Sequence, residues 1–110
     1  MIFLKIIHTK SYDNSIKKLK KYYEEKEELE CIIKYLVKKN KFIDVINDPI
    51  AKIYGFERLK HNYNEYYSFR LSKLIRLIVR PIENDIELYL IYISTKHYDD
   101  FNDKKVIYYE

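Results

Sequence analysis

The arginines of this chain are concentrated in one short window. Of 21 lysine and arginine residues, only four are arginine: Arg58, Arg70, Arg76 and Arg80. A guanidinium offers a planar fork of donors that binds a phosphate at two points and keeps its charge. The window 57–80 therefore indicates an anion site, although strands also carry arginine on solvent-facing surfaces without any ligand.

A carboxylate and an imidazole flank this window. Glu57 precedes the first arginine, and His97 follows the last predicted strand. A carboxylate, an imidazole and arginines around one phosphate are sufficient for metal-free RNA cleavage. A base takes the proton of the ribose 2′-hydroxyl, arginines stabilise the phosphorane, and an acid protonates the leaving 5′-oxygen. Histidine suits the acid role near neutral pH, and Tyr98 would stack on a base or position the histidine.

Each of these residues also has an ordinary structural explanation. A lone glutamate such as Glu57 is most often a surface charge. A lone histidine such as His97 is most often exposed, or has its ring nitrogens hydrogen-bonded within the fold. His61 is a rival imidazole inside the window. Spacing alone therefore leaves catalysis as one interpretation among several.

Other chemistries have less support. One cysteine and three scattered histidines give no metal-ligand spacing, a single glycine cannot form a phosphate-binding glycine loop, and no serine or cysteine triad is visible. We therefore expect neither a metal nor a cofactor.

Composition predicts one globular domain over residues 1–110. Hydrophobic residues make up 47% and charged residues 35%, and the net charge of +4 permits a nucleic-acid or acidic partner. Cys31 lies in an apolar helical pattern, so we expect it to be buried and reduced, which fits a cytoplasmic protein. No apolar run approaches a membrane span or a signal peptide, so no membrane partner is expected.

Periodicity predicts how the first half of the chain is organised. Residues 2–8 predict a strand, and Ser11 is expected to cap the helix that follows. Helical spacing then gives two apolar stripes. These stripes consist of Tyr12, Ile16, Leu19 and Tyr23, and of Leu29, Ile32, Ile33, Leu36 and Val37. Residues 41–56 predict an irregular segment with one helical turn.

The second half alternates with the period of strands over residues 66–71 and 74–81. After a turn at 83–85, residues 86–94 predict a third strand that is apolar on both faces, so we expect it to be central or covered. The predicted class is therefore α+β: an N-terminal strand and two helices packed on a mostly antiparallel twisted sheet, in the order β-α-α-β-β-β. We expect the helices to cover one face of the sheet, and the face with Arg70 and Arg76 to be free or to meet a partner.

Four segments of the sequence also carry a family pattern. They are Glu57-Arg58-Leu59-Lys60-His61-Asn62, Tyr67-Ser68-Phe69-Arg70-Leu71, Ile75-Arg76-Leu77-Ile78-Val79 and His97-Tyr98. In this order they resemble the RelE/ParE superfamily of bacterial toxins, and most closely its YoeB-like mRNA interferases.

This resemblance implies a RelE-like fold and a toxin that enters the ribosomal A site and cleaves the mRNA there. Glu57 would be the general base and His97 the general acid, Arg76 and Arg70 would stabilise the phosphate, and Tyr98 would position the substrate.

Binding residues and partners follow from the same resemblance. Four further residues would contact RNA: Arg58, Lys60, His61 and Arg80. The implied partners are a cognate antitoxin, the 70S ribosome and mRNA, whereas the oligomeric state, a homodimer included, stays open.

The sequence departs from the YoeB-like pattern at its end, because twelve residues, 99–110, follow the His-Tyr pair. This tail would fold over the site, dock elsewhere or meet the antitoxin. Two other functions also remain: a same-fold toxin acting on DNA gyrase, as ParE-like members do, and a non-catalytic module that binds an acidic partner.

Overall fold

The computed structural model describes residues 3–82 and 84–110. Ile2 of the predicted first strand, Glu83 of the predicted turn and the side chain of His61 lie outside this description. The strands are β1 (Lys5–His8), β2 (Glu57–Arg58), β3 (Tyr67–Arg70), β4 (Arg76–Ile82) and β5 (Glu87–Ser94). The α-helices are α1 (Lys10–Ser15), α2 (Tyr23–Leu36) and α3 (Phe42–Ile46), and short 3₁₀ helices span Ile16–Leu19, Pro49–Tyr54, His61–Tyr63 and Asp103–Lys105.

These strands form one five-stranded sheet in the order β1-β5-β4-β3-β2. The strands β2 to β5 pair antiparallel, whereas β1 pairs parallel with β5, with Lys5 opposite Glu87. Parallel neighbours need a long connection, and here it contains the helices and strands β2 to β4. The predicted α+β class is confirmed. The structure adds the two-residue edge strand β2 and helix α3, which lies in the segment predicted to be irregular.

One face of the sheet packs against the helices and forms the main core. The helix residues in this core include Tyr12, Leu19, Leu29, Ile32, Leu36 and Phe42, and the strands contribute Phe69, Leu77, Val79, Leu90 and Ile93. Helix α1 is capped by Thr9, whose Oγ1 accepts a 3.0 Å hydrogen bond from the amide of Tyr12, so the prediction of Ser11 as the cap is wrong.

The helical stripes are narrower than predicted. Leu29, Ile32 and Leu36 are buried, but Tyr23 is 73% exposed and Val37 40% exposed, so these two predictions are wrong. Cys31 is also exposed rather than buried. It lies one residue before Ile32, and successive helical positions turn by about 100°, so its side chain leaves the core face.

The other face of the sheet is covered by the C-terminal tail, residues 99–110. Phe101 is 5% exposed and packs with Leu59, Tyr66, Ile78 and Ile91 in a second, smaller core. Val106 and Tyr108 of the tail pack against the same cluster. The expectation that this face is free or meets a partner is therefore wrong for the part that the tail covers, and the tail docks on the sheet.

A β-bulge in the β4–β5 pair changes which residues of β5 point to each face. The register shifts between Ile78, which lies opposite Tyr92, and Val79, which lies opposite Leu90. Before the bulge Leu90 enters the main core, and beyond it Ile93 does so. Ser94 therefore points to the tail-covered face, which is the usual way a bulge re-aims a side chain.

Candidate active site

Strand β2 places Glu57 at the edge of the tail-covered face. Glu57 lies opposite Ser68 in the antiparallel β2–β3 pair, and its side chain is exposed. Ser68 is fully buried beneath it. The carboxylate is therefore carried by a paired strand rather than by a free loop, which restricts where it can lie.

His97 and Tyr98 follow β5 in a left-handed turn. Their φ angles are 51° and 78°, in a region that non-glycine residues seldom adopt. The amide of His97 donates to the carbonyl of Leu74 (2.9 Å), and the amide of Tyr98 donates to Oγ of Ser94 (3.0 Å). This turn brings the exposed His97 ring beside the Tyr98 ring, with centroids 4.7 Å apart.

The hydroxyl of Tyr98 joins the two sides of the site. It donates a 2.6 Å hydrogen bond to Oε1 of Glu57 and lies 2.7 Å from Oγ of Ser68. Burial raises the pKa of Tyr98, and the hydrogen bond to Glu57 raises it further, although Ser68 and the charge of Arg76 act in the opposite direction. Tyr98 therefore stays a neutral hydrogen-bond donor at physiological pH.

A cleft of about 410 Å³ opens beside this contact. Glu57, His97 and Tyr98 line it together, so the structure brings the predicted base, acid and positioning residue to one place. The other lining residues are Arg58, Leu59, Lys60 and Tyr63. Two of the four predicted RNA-binding residues, Arg58 and Lys60, thus lie on the same cleft.

Arg70 and Arg76 lie opposite each other on β3 and β4 and line a neighbouring open groove of about 700 Å³, which also reaches His97. Arg70 is exposed. Arg76 is only 7% exposed, which contradicts the expectation that both arginines lie on an open face. Its Nη1 donates to the carbonyls of Ser72 (2.5 Å), Lys73 (2.9 Å) and Ile75 (3.2 Å).

The single arginine site predicted for the window 57–80 is divided in the structure. Nε of Arg58 donates to the carbonyl of Asn64 (2.6 Å), at the cleft. Arg80 lies four residues beyond Arg76, about 13 Å along β4. It forms an ion pair with Glu65 (3.2 Å) and approaches the Tyr108 hydroxyl (3.3 Å). Arg80 therefore belongs to the tail contact rather than to the cleft.

His61 begins the 3₁₀ turn His61–Tyr63, directly after the cleft residue Lys60. Its predicted contact with RNA concerns a side chain outside the described part of the chain, and stays a prediction.

Solved structures of bacterial toxins share this architecture. It matches YafQ from Escherichia coli strain BL21(DE3) with a TM-score of 0.64 and 16% identity, covering 84% of this chain and 92% of that one. It matches the E. coli DinJ–YafQ toxin–antitoxin complex with a TM-score of 0.66 and 16% identity, covering 90% of this chain and 98% of that one. It also matches a YoeB/ParE toxin from Agrobacterium tumefaciens with a TM-score of 0.61 and 18% identity, covering 84% of this chain and 98% of that one. This chain has the RelE/ParE toxin fold. No protein-family model and no curated protein sequence matches it.

The RelE/ParE toxin fold, predicted from four short segments, is thus confirmed although sequence identity is low. None of the helices in the described residues is both long and apolar enough to cross a membrane.

Three polar residues that support the site were missed from the sequence. Ser68 stands in the aromatic-Ser-x-Arg segment, which offered a signal for it. Ser94 ends a strand that reads as apolar, and Asp100 lies in a charged tail, so neither had a local signal. The hydroxyl of Ser94 accepts from the amide of Tyr98 and donates to Asp100, so both residues lie at the turn of His97 and Tyr98.

Proposed function

We propose that this chain is the toxin of a type II toxin–antitoxin pair and that it cleaves mRNA on the ribosome. The observation that carries the proposal is the cleft shared by Glu57, His97 and Tyr98, with Arg70 and Arg76 on the adjoining groove. A carboxylate and an imidazole on the same cleft, beside guanidiniums, match the requirements of general acid–base attack on a phosphodiester.

In the proposed reaction, Glu57 is the general base. Tyr98 holds its Oε1, and we assign Oε2 to take the proton of the ribose 2′-hydroxyl. The 2′-oxygen attacks the phosphorus, and the bond to the 5′-oxygen breaks as that oxygen takes a proton from His97. The products are a 2′,3′-cyclic phosphate and a free 5′-hydroxyl.

The two arginines act on the phosphorane charge in different ways. Arg70 is exposed on the groove and is the guanidinium that a phosphate reaches directly. Arg76 is held by three backbone carbonyls, so its charge is fixed in place before the substrate arrives. A fixed charge stabilises a transition state without reorganisation at the moment of reaction.

An antitoxin partner is part of the proposal. YafQ occurs in a toxin–antitoxin complex with DinJ. In this chain two large apolar side chains, Ile53 (75% exposed) and Leu74 (52% exposed), border the groove with Arg70 and Lys73. An acidic, amphipathic antitoxin segment would bury the apolar pair and neutralise the cations, and it would cover His97.

The test is cleavage of a defined mRNA on purified 70S ribosomes, mapped by primer extension. Glu57→Gln and His97→Gln should each lower the cleavage rate by about 100-fold or more. Glu65→Gln and His8→Gln are matched controls, because Glu65 pairs with Arg80 and His8 with Asp13, and they should cleave within about twofold of wild type.

Two results would overturn the proposal: ribosome-dependent cleavage that both site variants retain, or no cleavage by the wild-type chain. Inhibition of gyrase by a wild-type chain that does not cut mRNA would favour a ParE-like target. Tight binding of an acidic partner with neither activity would favour the non-catalytic module.

A further inference from the structure

Asp100 lies behind the turn that carries His97 and Tyr98. Its Oδ1 accepts a 2.5 Å hydrogen bond from the hydroxyl of Ser94, and its Oδ2 accepts one from the amide of Thr95 (3.3 Å). Nζ of Lys18 lies 3.4 Å from Oδ2. Asp100 therefore connects the end of β5 to the residues that follow the turn.

The hydroxyl of Ser94 transmits this contact to the site. Ser94 is fully buried, and its single proton is donated to Asp100. A hydroxyl has one proton and two lone pairs. Because Asp100 takes the proton, the lone pairs of Oγ are directed to the amides of Tyr98 (3.0 Å) and Lys96 (3.4 Å). Without an acceptor at position 100, the hydroxyl would be free to rotate.

The turn needs such support, since His97 and Tyr98 both have positive φ angles. Non-glycine residues persist in this region only where the surroundings over-determine their conformation. The direction of the Tyr98 hydroxyl toward Glu57 and the position of the His97 ring both depend on this backbone.

The tail keeps Asp100 in place. The next residue, Phe101, is buried in the second core, its amide donates to the carbonyl of Tyr98 (2.9 Å), and its own carbonyl accepts from the Tyr63 hydroxyl (3.3 Å). Asp100 thus stands between a strained turn and an anchored segment.

We propose that Asp100 is a positioning residue of the site: through Ser94 it fixes the backbone of His97 and Tyr98, and so aligns the acid and the tyrosine with Glu57. This inference rests on the proposed function and deepens it. It also assigns a role to the start of the tail, which the resemblance to YoeB-like toxins does not cover.

Histidine NMR tests the positioning directly, without any assay of cleavage. The chain has three histidines, His8, His61 and His97, so the ring signals of a ¹³C-histidine-labelled full-length chain are few enough to assign. Asp100→Ala should shift or broaden the His97 signals and leave those of His8, whose ring pairs with Asp13, unchanged. Asp99→Ala removes the same charge from the exposed neighbouring position and should change the signals of neither His8 nor His97.

Kinetics on ribosomes provide the second measurement. Asp100→Ala should lower kcat about ten- to a hundredfold with little change in KM, because misplacement affects chemistry more than binding. Asp100→Asn keeps Oδ1 as an acceptor for Ser94 but replaces Oδ2, which accepts from Thr95 and Lys18, so it should recover part of the loss. Ser94→Ala should resemble Asp100→Ala, and the double variant should lose no more than the larger single loss, as expected for residues that act in series.

The proposal is overturned if the His97 signals and the kcat of Asp100→Ala equal those of Asp99→Ala. It is also overturned if the losses in kcat caused by Ser94→Ala and Asp100→Ala add in full in the double variant. If Asp100→Ala does not fold, Ser94→Ala and Asp100→Asn are judged by the same criteria. A wild-type chain that fails to cleave would refute the proposed function, while the His97 signals would still report on positioning.

Discussion

The hydroxyl of Tyr98 donates a hydrogen bond to the carboxylate of Glu57 across 41 residues of sequence, and the two atoms are 2.6 Å apart. This bond joins the edge strand β2 to the turn after β5. It requires the pairing of β2 to β5, because β3, β4 and β5 lie between these two segments in the chain and in the sheet.

Removing this hydroxyl should affect activity more than stability. Tyr98→Phe deletes the bonds to Glu57 and Ser68, and we expect cleavage on ribosomes to fall about tenfold or more. The free energy of unfolding should change by about 1 kcal/mol, as for a typical hydrogen bond. Tyr109→Phe is the matched control, since its hydroxyl also donates to a carboxylate, that of Asp13, away from the cleft. Equal rates for the two variants would contradict the role of Tyr98.

Gly55→Ala should destabilise the protein and displace Arg70. Gly55 has a φ of +65°, which costs other residues about 1–2 kcal/mol, and an added Cβ would lie 2.5 Å from Cβ of Arg70. We expect urea unfolding to show a loss of about 2 kcal/mol or more, accompanied by slower cleavage. Lys52→Ala, at an exposed position in the same turn, should stay within about 0.5 kcal/mol of wild type. A variant as stable as wild type would contradict this packing.

Phe101→Ala should show that the tail contributes to the fold. Its ring is 5% exposed and contacts Tyr63, Tyr66 and Tyr92, so truncation should cost about 3–5 kcal/mol in urea unfolding. Ile107→Ala, at a tail residue that is 53% exposed, should cost far less. If the two substitutions cost the same, the docked tail does not stabilise the sheet.

The stability of the protein should fall in acid partly through Asp48. Hydrogen bonds from Lys39, Tyr35 and the amide of Ile50 lower its pKa from 3.8 to about 2. A carboxyl group with a lowered pKa contributes stability above its unfolded pKa, and this contribution is lost as the pH falls through the folded pKa. Thermal unfolding between pH 5 and pH 2 should therefore show a shallower decline for Asp48→Asn than for wild type.

The control for this effect is Asp99→Asn, at an exposed position, which should retain the slope of the wild-type protein. An unchanged slope in Asp48→Asn would show that the three hydrogen bonds do not stabilise the ionised carboxyl group.

Sequence reasoning predicted the parts of this structure that local patterns determine. The alternation over 66–71 and 74–81 and the apolar run over 86–94 predicted β3, β4 and β5 within a few residues. Five of the seven residues that line the cleft were predicted as site residues, namely Glu57, Arg58, Lys60, His97 and Tyr98, whereas Leu59 and Tyr63 were not. The roles of the five in catalysis stay predictions.

The features that were missed depend on contacts between distant segments. Phe101 and Tyr108 are spaced irregularly in a charged tail. The burial of Phe101 and the partial burial of Tyr108 follow from a sheet face that the helices leave uncovered, which no local pattern describes. The burial of Arg76 depends on the carbonyls of the preceding turn, and the direction of Ser94 depends on the bulge opposite Ile78 and Val79. Neither leaves a periodic signal in the sequence.

The parallel pairing of β1 with β5 has a consequence for synthesis of the protein. Lys5 pairs with Glu87, so β1, which is translated first, cannot pair until β5 has been translated. Contacts between residues so far apart in sequence are also slow to form. Because His97, Tyr98 and Asp100 are translated later still, a nascent chain has neither a completed sheet nor the residue that we propose as the general acid. Under the proposed function, a ribosome translating this chain is therefore not exposed to cleavage by the unfinished product.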